Sequence, residues 1–95
     1  IPKTRDLVIP PSDPLIHYFG GLLRERFGFG SAYLVFHKEE PIAAFKANTR
    51  NSTIDVTDFV GDSELEKEAL RVMKEFAWEH QMPLTGELYE KLRSR

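Results

Sequence analysis

Cysteine is absent from the 95 residues, which removes disulfides, thiolate nucleophiles and thiolate zinc sites from consideration together. A chain of this length buries only about 60 to 65% of the surface that its unfolded form exposes. The lack of staples therefore points to one core in a reducing interior, and a cytoplasmic protein is expected. An excess of one charge sign is lacking too. Thirteen Lys and Arg against fifteen Asp and Glu leave a net charge of -2, a balance without the basic field that draws nucleic acid by itself. No apolar run is long enough to span a bilayer. The opening Ile1-Pro2-Lys3-Thr4-Arg5-Asp6 carries no apolar stretch after its basic residues, so neither a signal peptide nor a membrane partner is expected. Without an initiator Met, that opening reads as a processed end or as the cut edge of a longer protein.

What is present is ordinary for a globular domain, with 41% hydrophobic and 29% charged residues. Leu7-Val8-Ile9, closed by Pro10-Pro11, is a candidate edge strand within an extended segment over 1–12. Apolar residues at helical spacing, with Pro14 in the first turn and Gly28 after the last, predict a helix over 14–27. The period then changes to two. Strands are predicted over 31–37, 42–48 and 53–57, followed by a helix over 63–80 with Ser63 and Glu66 at capping-box spacing. Beyond Pro83 a short last helix follows, with Thr85 as its cap. The expectation is a single α+β domain over 1–95: an antiparallel meander of about three strands, with an N-terminal helix and two C-terminal helices packed on it.

The hairpin is the most informative stretch. Tyr33-Leu34-Val35-Phe36 and Pro41-Ile42-Ala43-Ala44-Phe45 are apolar at successive positions, so both faces of the hairpin must be covered, by the chain itself or by a partner. If His37 lies opposite Ile42, then Tyr33, Val35, His37, Ile42, Ala44 and Lys46 share one face. That face mixes apolar centre and polar rim in the manner of a protein interface, and it is the first candidate interaction surface. Trp78 is the second. It projects from the charged side of its helix together with Lys67, Arg71 and Lys74, either as a binding hot spot or covered by the last helix.

Motifs that carry a reaction are missing. Gly28-Phe29-Gly30 precedes a strand and has Tyr33 at the third glycine position of the dinucleotide fingerprint, so it reads as a helix stop. His17, His37 and His80 lie on three different elements without the i, i+4 spacing that presents two imidazoles to one metal. Asp55, Asp58, Asp62 and Glu64 gather in one short segment and could offer oxygens to calcium, but the EF-hand spacing is absent, and Asp55 pointing outward from a strand with Asp62 and the glutamates complementing the start of the next helix explains them. No catalytic residue and no cofactor is expected.

Helix, Gly-rich turn, Ala32-Tyr33-Leu34-Val35-Phe36, charged turn and Pro41-Ile42-Ala43-Ala44 in that order resemble the core of PATAN-type domains and of related uncharacterised archaeal proteins. The resemblance covers residues 15–45, with Lys38-Glu39-Glu40 where those domains carry glycine. It implies an adaptor-like role in signalling and transfers no active site. The expected function is a non-catalytic protein-interaction or regulatory module, binding a protein partner or a second copy of itself. A small calcium-binding protein is the alternative reading, and a single-stranded nucleic-acid binder, with bases stacked beside Lys46 and Tyr33, is the third.

Overall fold

The computed structural model describes residues 6–14, 25–26 and 32–94. Within them the chain forms β1 (Leu7–Ile9), β2 (Tyr33–His37), β3 (Glu40–Arg50) and β4 (Thr53–Gly61). A short 3-10 turn (Ser63–Leu65), α1 (Glu66–Glu79), β5 (Leu84–Thr85) and α2 (Glu87–Arg93) follow. The strands lie in the order β1-β2-β3-β4-β5, antiparallel up to β4, after which β5 runs parallel to β4. The sheet curls into a half-barrel accompanied by two helices among the described residues.

This corrects the expected three-stranded antiparallel meander carrying three helices. Leu7-Val8-Ile9 does pair, and it extends the sheet beside β2. At the other edge Ile54 donates its N–H to the Pro83 carbonyl at 2.9 Å, and Leu84 and Thr85 then pair with Ile54 and Asp55. Two residues are too few to leave a period in the sequence, so β5 is set by this tertiary contact alone. The helix expected over 14–27 lies outside the described residues except for Pro14, which is in a turn, and Glu25 and Arg26, which are helical.

Both hairpins close through two-residue turns. His37 pairs with Glu40 across Lys38 (φ 53°) and Glu39 (φ 68°), and Arg50 pairs with Thr53 across Asn51 (φ 52°) and Ser52 (φ 59°). Positive φ at both central positions matches the right-handed strand twist, and here residues other than glycine hold it. The first turn is two residues shorter than the one that would place His37 against Ile42. Val35 consequently faces Ala43, and Ile42 is absorbed by a bulge at Val35/Phe36.

That slip decides the faces. Tyr33, Val35, Ile42, Ala43 and Phe45 join Ile54, Val56 and the apolar side of α1, from Ala69 and Leu70 through Met73 to Ala77, in the main core. Ile9, Ala32, Leu34, Phe36 and Ala44 form a second buried cluster on the opposite face, with Val60 against it. Both faces of the hairpin are thus buried within a single chain. Each fully buried large side chain, Phe45 and Met73 among them, contributes roughly 1.5 to 3 kcal/mol of transfer free energy. The hydroxyl of Tyr33 is satisfied by Thr49 Oγ1 at 2.6 Å. Its ring meets Phe76 edge-on with centroids 5.9 Å apart.

Candidate functional site

α1 presents two unlike sides. Ala69, Leu70, Val72, Met73 and Ala77 are buried, and the spacing i, i+4, i+7, i+11 places Lys67, Arg71, Lys74 and Trp78 along the exposed side. Trp78 is 82% exposed. Leu88 and Tyr89 of the last helix pack against the core and leave the indole uncovered.

The end of α1 shapes what lies under that ring. His80 and Gln81 leave the helix, Gln81 at φ 56°. Gln81 donates its N–H to the Trp78 carbonyl at 3.1 Å, and Met82 donates to the Ala77 carbonyl at 2.9 Å. These paired bonds are the Schellman arrangement, which satisfies two carbonyls of the last turn and folds Met82 back against the helix. Pro83 and Leu84 continue beneath it into β5. The result is a groove of about 730 Å³ between the end of α1, the returning chain and Tyr89 of α2. Met82, Pro83, Leu84 and Tyr89 line it, with Trp78 and Lys74 at its margin. A second crevice of about 440 Å³ runs between α1 and α2, lined by Leu70 and Leu92 and by Lys67, Lys74 and Arg93. Lys74 borders both depressions.

A polar cluster stands where β1, β2 and α1 meet. His37 Nδ1–H donates to Asp6 Oδ1 at 2.7 Å and lies 3.3 Å from Glu68 Oε2. Arg71 Nη2 donates to both Asp6 and Glu68, while Nη1 donates to Glu75 at 2.9 Å. Burial acts to raise the Asp6 pKa, but the Arg71 and His37 hydrogen bonds outweigh it and hold the carboxyl below its ordinary 3.8. Hydrogen bonding from Arg71 likewise holds Glu68 below its ordinary 4.5. The same contacts, Glu68 first and Asp6 second, push the Arg71 pKa up. Asp6, His37 and Glu68 are the one set of three among the described residues whose ligand atoms are close enough for a metal ion. The guanidinium of Arg71 already supplies the positive charge between the two carboxylates. The arrangement is an ion-paired clasp that ties the segment before β1 to α1.

The hairpin residues expected on one surface are divided. Tyr33, Val35 and Ile42 lie in the main core, Ala44 is buried in the second cluster, and His37 belongs to the clasp. Lys46 is exposed on β3 opposite Asp58. The short turn and the bulge at Val35/Phe36 together shift the pairing by one residue, and this accounts for the division. The acidic segment does not converge either. Asp55 sits in β4 against Asn48, and Asp58 accepts a hydrogen bond from the Phe59 N–H at 2.8 Å. Asp62 precedes the 3-10 turn without a side-chain capping bond, and Glu64 lies within that turn. The capping box expected between Ser63 and Glu66 gives way to this turn, which delays the α-helix until Glu66.

Of the site residues found in the sequence, Trp78 stands on an accessible depression. The groove below it was not legible, since its floor comes from residues 82–84, which carry no periodic signal. Among the described residues no helix is long and apolar enough to cross a membrane. Comparison with family models, with curated proteins and with solved structures finds no match to this chain.

Proposed function

We propose that this chain is a non-catalytic protein-interaction module that receives its partner in the groove beside Trp78. One observation carries the reading: the chain's single tryptophan is 82% exposed and lines a groove in which Met82, Pro83, Leu84 and Tyr89 are joined by Glu79 and Gln81. Leaving an indole in water forgoes roughly 2 to 3 kcal/mol of burial free energy. Tryptophan is also the residue most enriched among interface hot spots. The groove volume falls within the range that encloses a ligand or a partner's anchoring side chains. Both faces of the hairpin are buried within the chain, so the interaction surface moves from the sheet to α1. The role agrees in kind with the adaptor function that the resemblance to PATAN-type domains implies.

The test is quantitative affinity capture from cell extract with the unaltered chain and with Trp78→Ala, followed by rebinding of the purified captured protein. A partner that rebinds the unaltered chain and loses at least about tenfold in affinity, roughly 1.4 kcal/mol, on Trp78→Ala supports the reading. Equal binding to both forms contradicts it.

A further inference from the structure

Resting on the interaction reading above, we propose that the occupant of the α1 surface is an acidic peptide segment with a large apolar anchor residue. The anchor enters the groove beside Trp78, and the carboxylates lie along Lys74 and Lys67. The inference comes from how charge is distributed around the two depressions. Lys74 borders both, so the apolar groove and the crevice between α1 and α2 follow one another along the helix. Four cations line the crevice: Lys67, Arg71, Lys74 and Arg93. They are not equivalent. Arg71 is held by Asp6, Glu68 and Glu75, and Arg93 lies 3.5 Å from Glu90 with its guanidinium 5.9 Å from the Tyr89 ring centroid. Lys67 and Lys74 are exposed, and among the described residues no carboxylate pairs with either.

Two ammonium groups that no carboxylate pairs among the described residues stand beside an uncovered indole, on a chain of net charge -2, and they leave two cationic contacts open to an anionic partner. Such a patch selects a partner by electrostatic complementarity while the apolar groove supplies affinity. An acidic peptide fits better than a nucleic acid. Glu75 lines the crevice and Glu79 lines the groove, so a continuous phosphate backbone would run past both carboxylates. A peptide can set uncharged side chains opposite them.

Selection of phage-displayed random peptides on the full chain tests the proposal, with Trp78→Ala and the double variant Lys67→Glu/Lys74→Glu as counter-targets. All three positions are exposed, and retained melting temperatures establish that the variants fold. The expected selectants carry several Asp or Glu residues flanking an aromatic or aliphatic residue. A synthetic selectant should shift and enhance the Trp78 fluorescence. It should bind the double variant at least about tenfold more weakly, and it should weaken as salt rises. Trp78-dependent selectants that are basic or proline-rich, or acidic ones indifferent to the charge reversal, overturn the acidic occupant and leave the interaction reading standing. An oligothymidylate that quenches Trp78 and binds more tightly than any selected peptide overturns it in favour of nucleic acid. If no selectant distinguishes the unaltered chain from Trp78→Ala, the interaction reading itself fails.

Discussion

Gly86 lies so close to Asp55 that a Cβ built on it would stand 2.7 Å from the Asp55 Oδ1 and 2.7 Å from the Val56 carbonyl oxygen. Its backbone, at φ 113° and ψ 156°, occupies a region open in practice to glycine alone. The position lets the chain leave β5 along β4 and begin α2 within one residue. Gly86→Ala is expected to cost about 2 to 3 kcal/mol, from backbone strain and from the contacts a methyl group cannot avoid. Urea unfolding measures it. Removing the Asp55 side chain as well should restore little, because the Val56 carbonyl is main chain; a loss below about 0.5 kcal/mol would show that β5 and α2 can part from β4 at no cost.

The first hairpin turn offers a change in the opposite direction. Lys38 and Glu39 both hold positive φ, a conformation that costs a side-chain-bearing residue roughly 1 kcal/mol or more. Replacing the pair with Asn-Gly, which adopts this turn readily, should raise stability by about 1 kcal/mol after allowance for the added freedom of glycine in the unfolded chain. The gain should appear as a higher urea midpoint at unchanged slope. A decrease would mean that the turn is not two residues long.

The clasp makes a prediction about acid. Asp6 and Glu68 both have pKa values below their ordinary 3.8 and 4.5, so the native state binds fewer protons there than the unfolded chain does. Their contribution is complete above those ordinary values and is lost as the pH falls through the lowered ones. Arg71→Met should therefore cost stability near neutral pH and cost progressively less below about pH 4. The size should be small, about 1 kcal/mol at low salt, because Arg71 is 45% exposed and water screens such pairs. Unfolding free energies of both forms across an acid series check this. A difference independent of pH would assign the loss to packing.

Trp78 yields a prediction that needs no partner. Because it is the only tryptophan and is exposed, the emission of the native chain should already resemble that of an indole in water. A neutral quencher should reach it nearly as well before unfolding as after. Trp78→Ala should alter unfolding free energy by no more than about 0.5 kcal/mol. A blue-shifted, protected emission in the isolated chain would place the ring in an interior and remove the basis of the groove.

Several of these features could be read from the sequence, and the reason others could not is physical. Alternation in residues 53–57 and helical spacing from Leu65 to Ala77 reflect burial on one side of each element, and both elements formed where that pattern lies. The pairing of Val35 with Ala43 was hidden, because a hairpin apolar on both faces gives no preference between registers one residue apart. The choice then falls to the turn, and Lys38-Glu39 lacks the residues that announce one. β5 and Gly86 owe their form to β4, which is distant in sequence. Asp6, His37 and Glu68 belong to three separate segments that only the folded sheet and helix bring together. The exposure of Trp78 could be narrowed to two outcomes from helical phase alone, and the path of residues 81–84 decided between them.

The parallel pairing of β5 with β4 also orders events in time. The antiparallel hairpins β2-β3 and β3-β4 close through short loops and can form early. β5 can find Ile54 only after the intervening chain has been drawn back across the sheet with α1 in place, and such non-local closure is slow. The groove floor is made from this returning segment, so the surface beside Trp78 should be the last part of the domain to assemble and the first to open. Amide exchange at Ile54, whose N–H is held by the Pro83 carbonyl of this segment, should accordingly outpace exchange at Met73 on the buried side of α1.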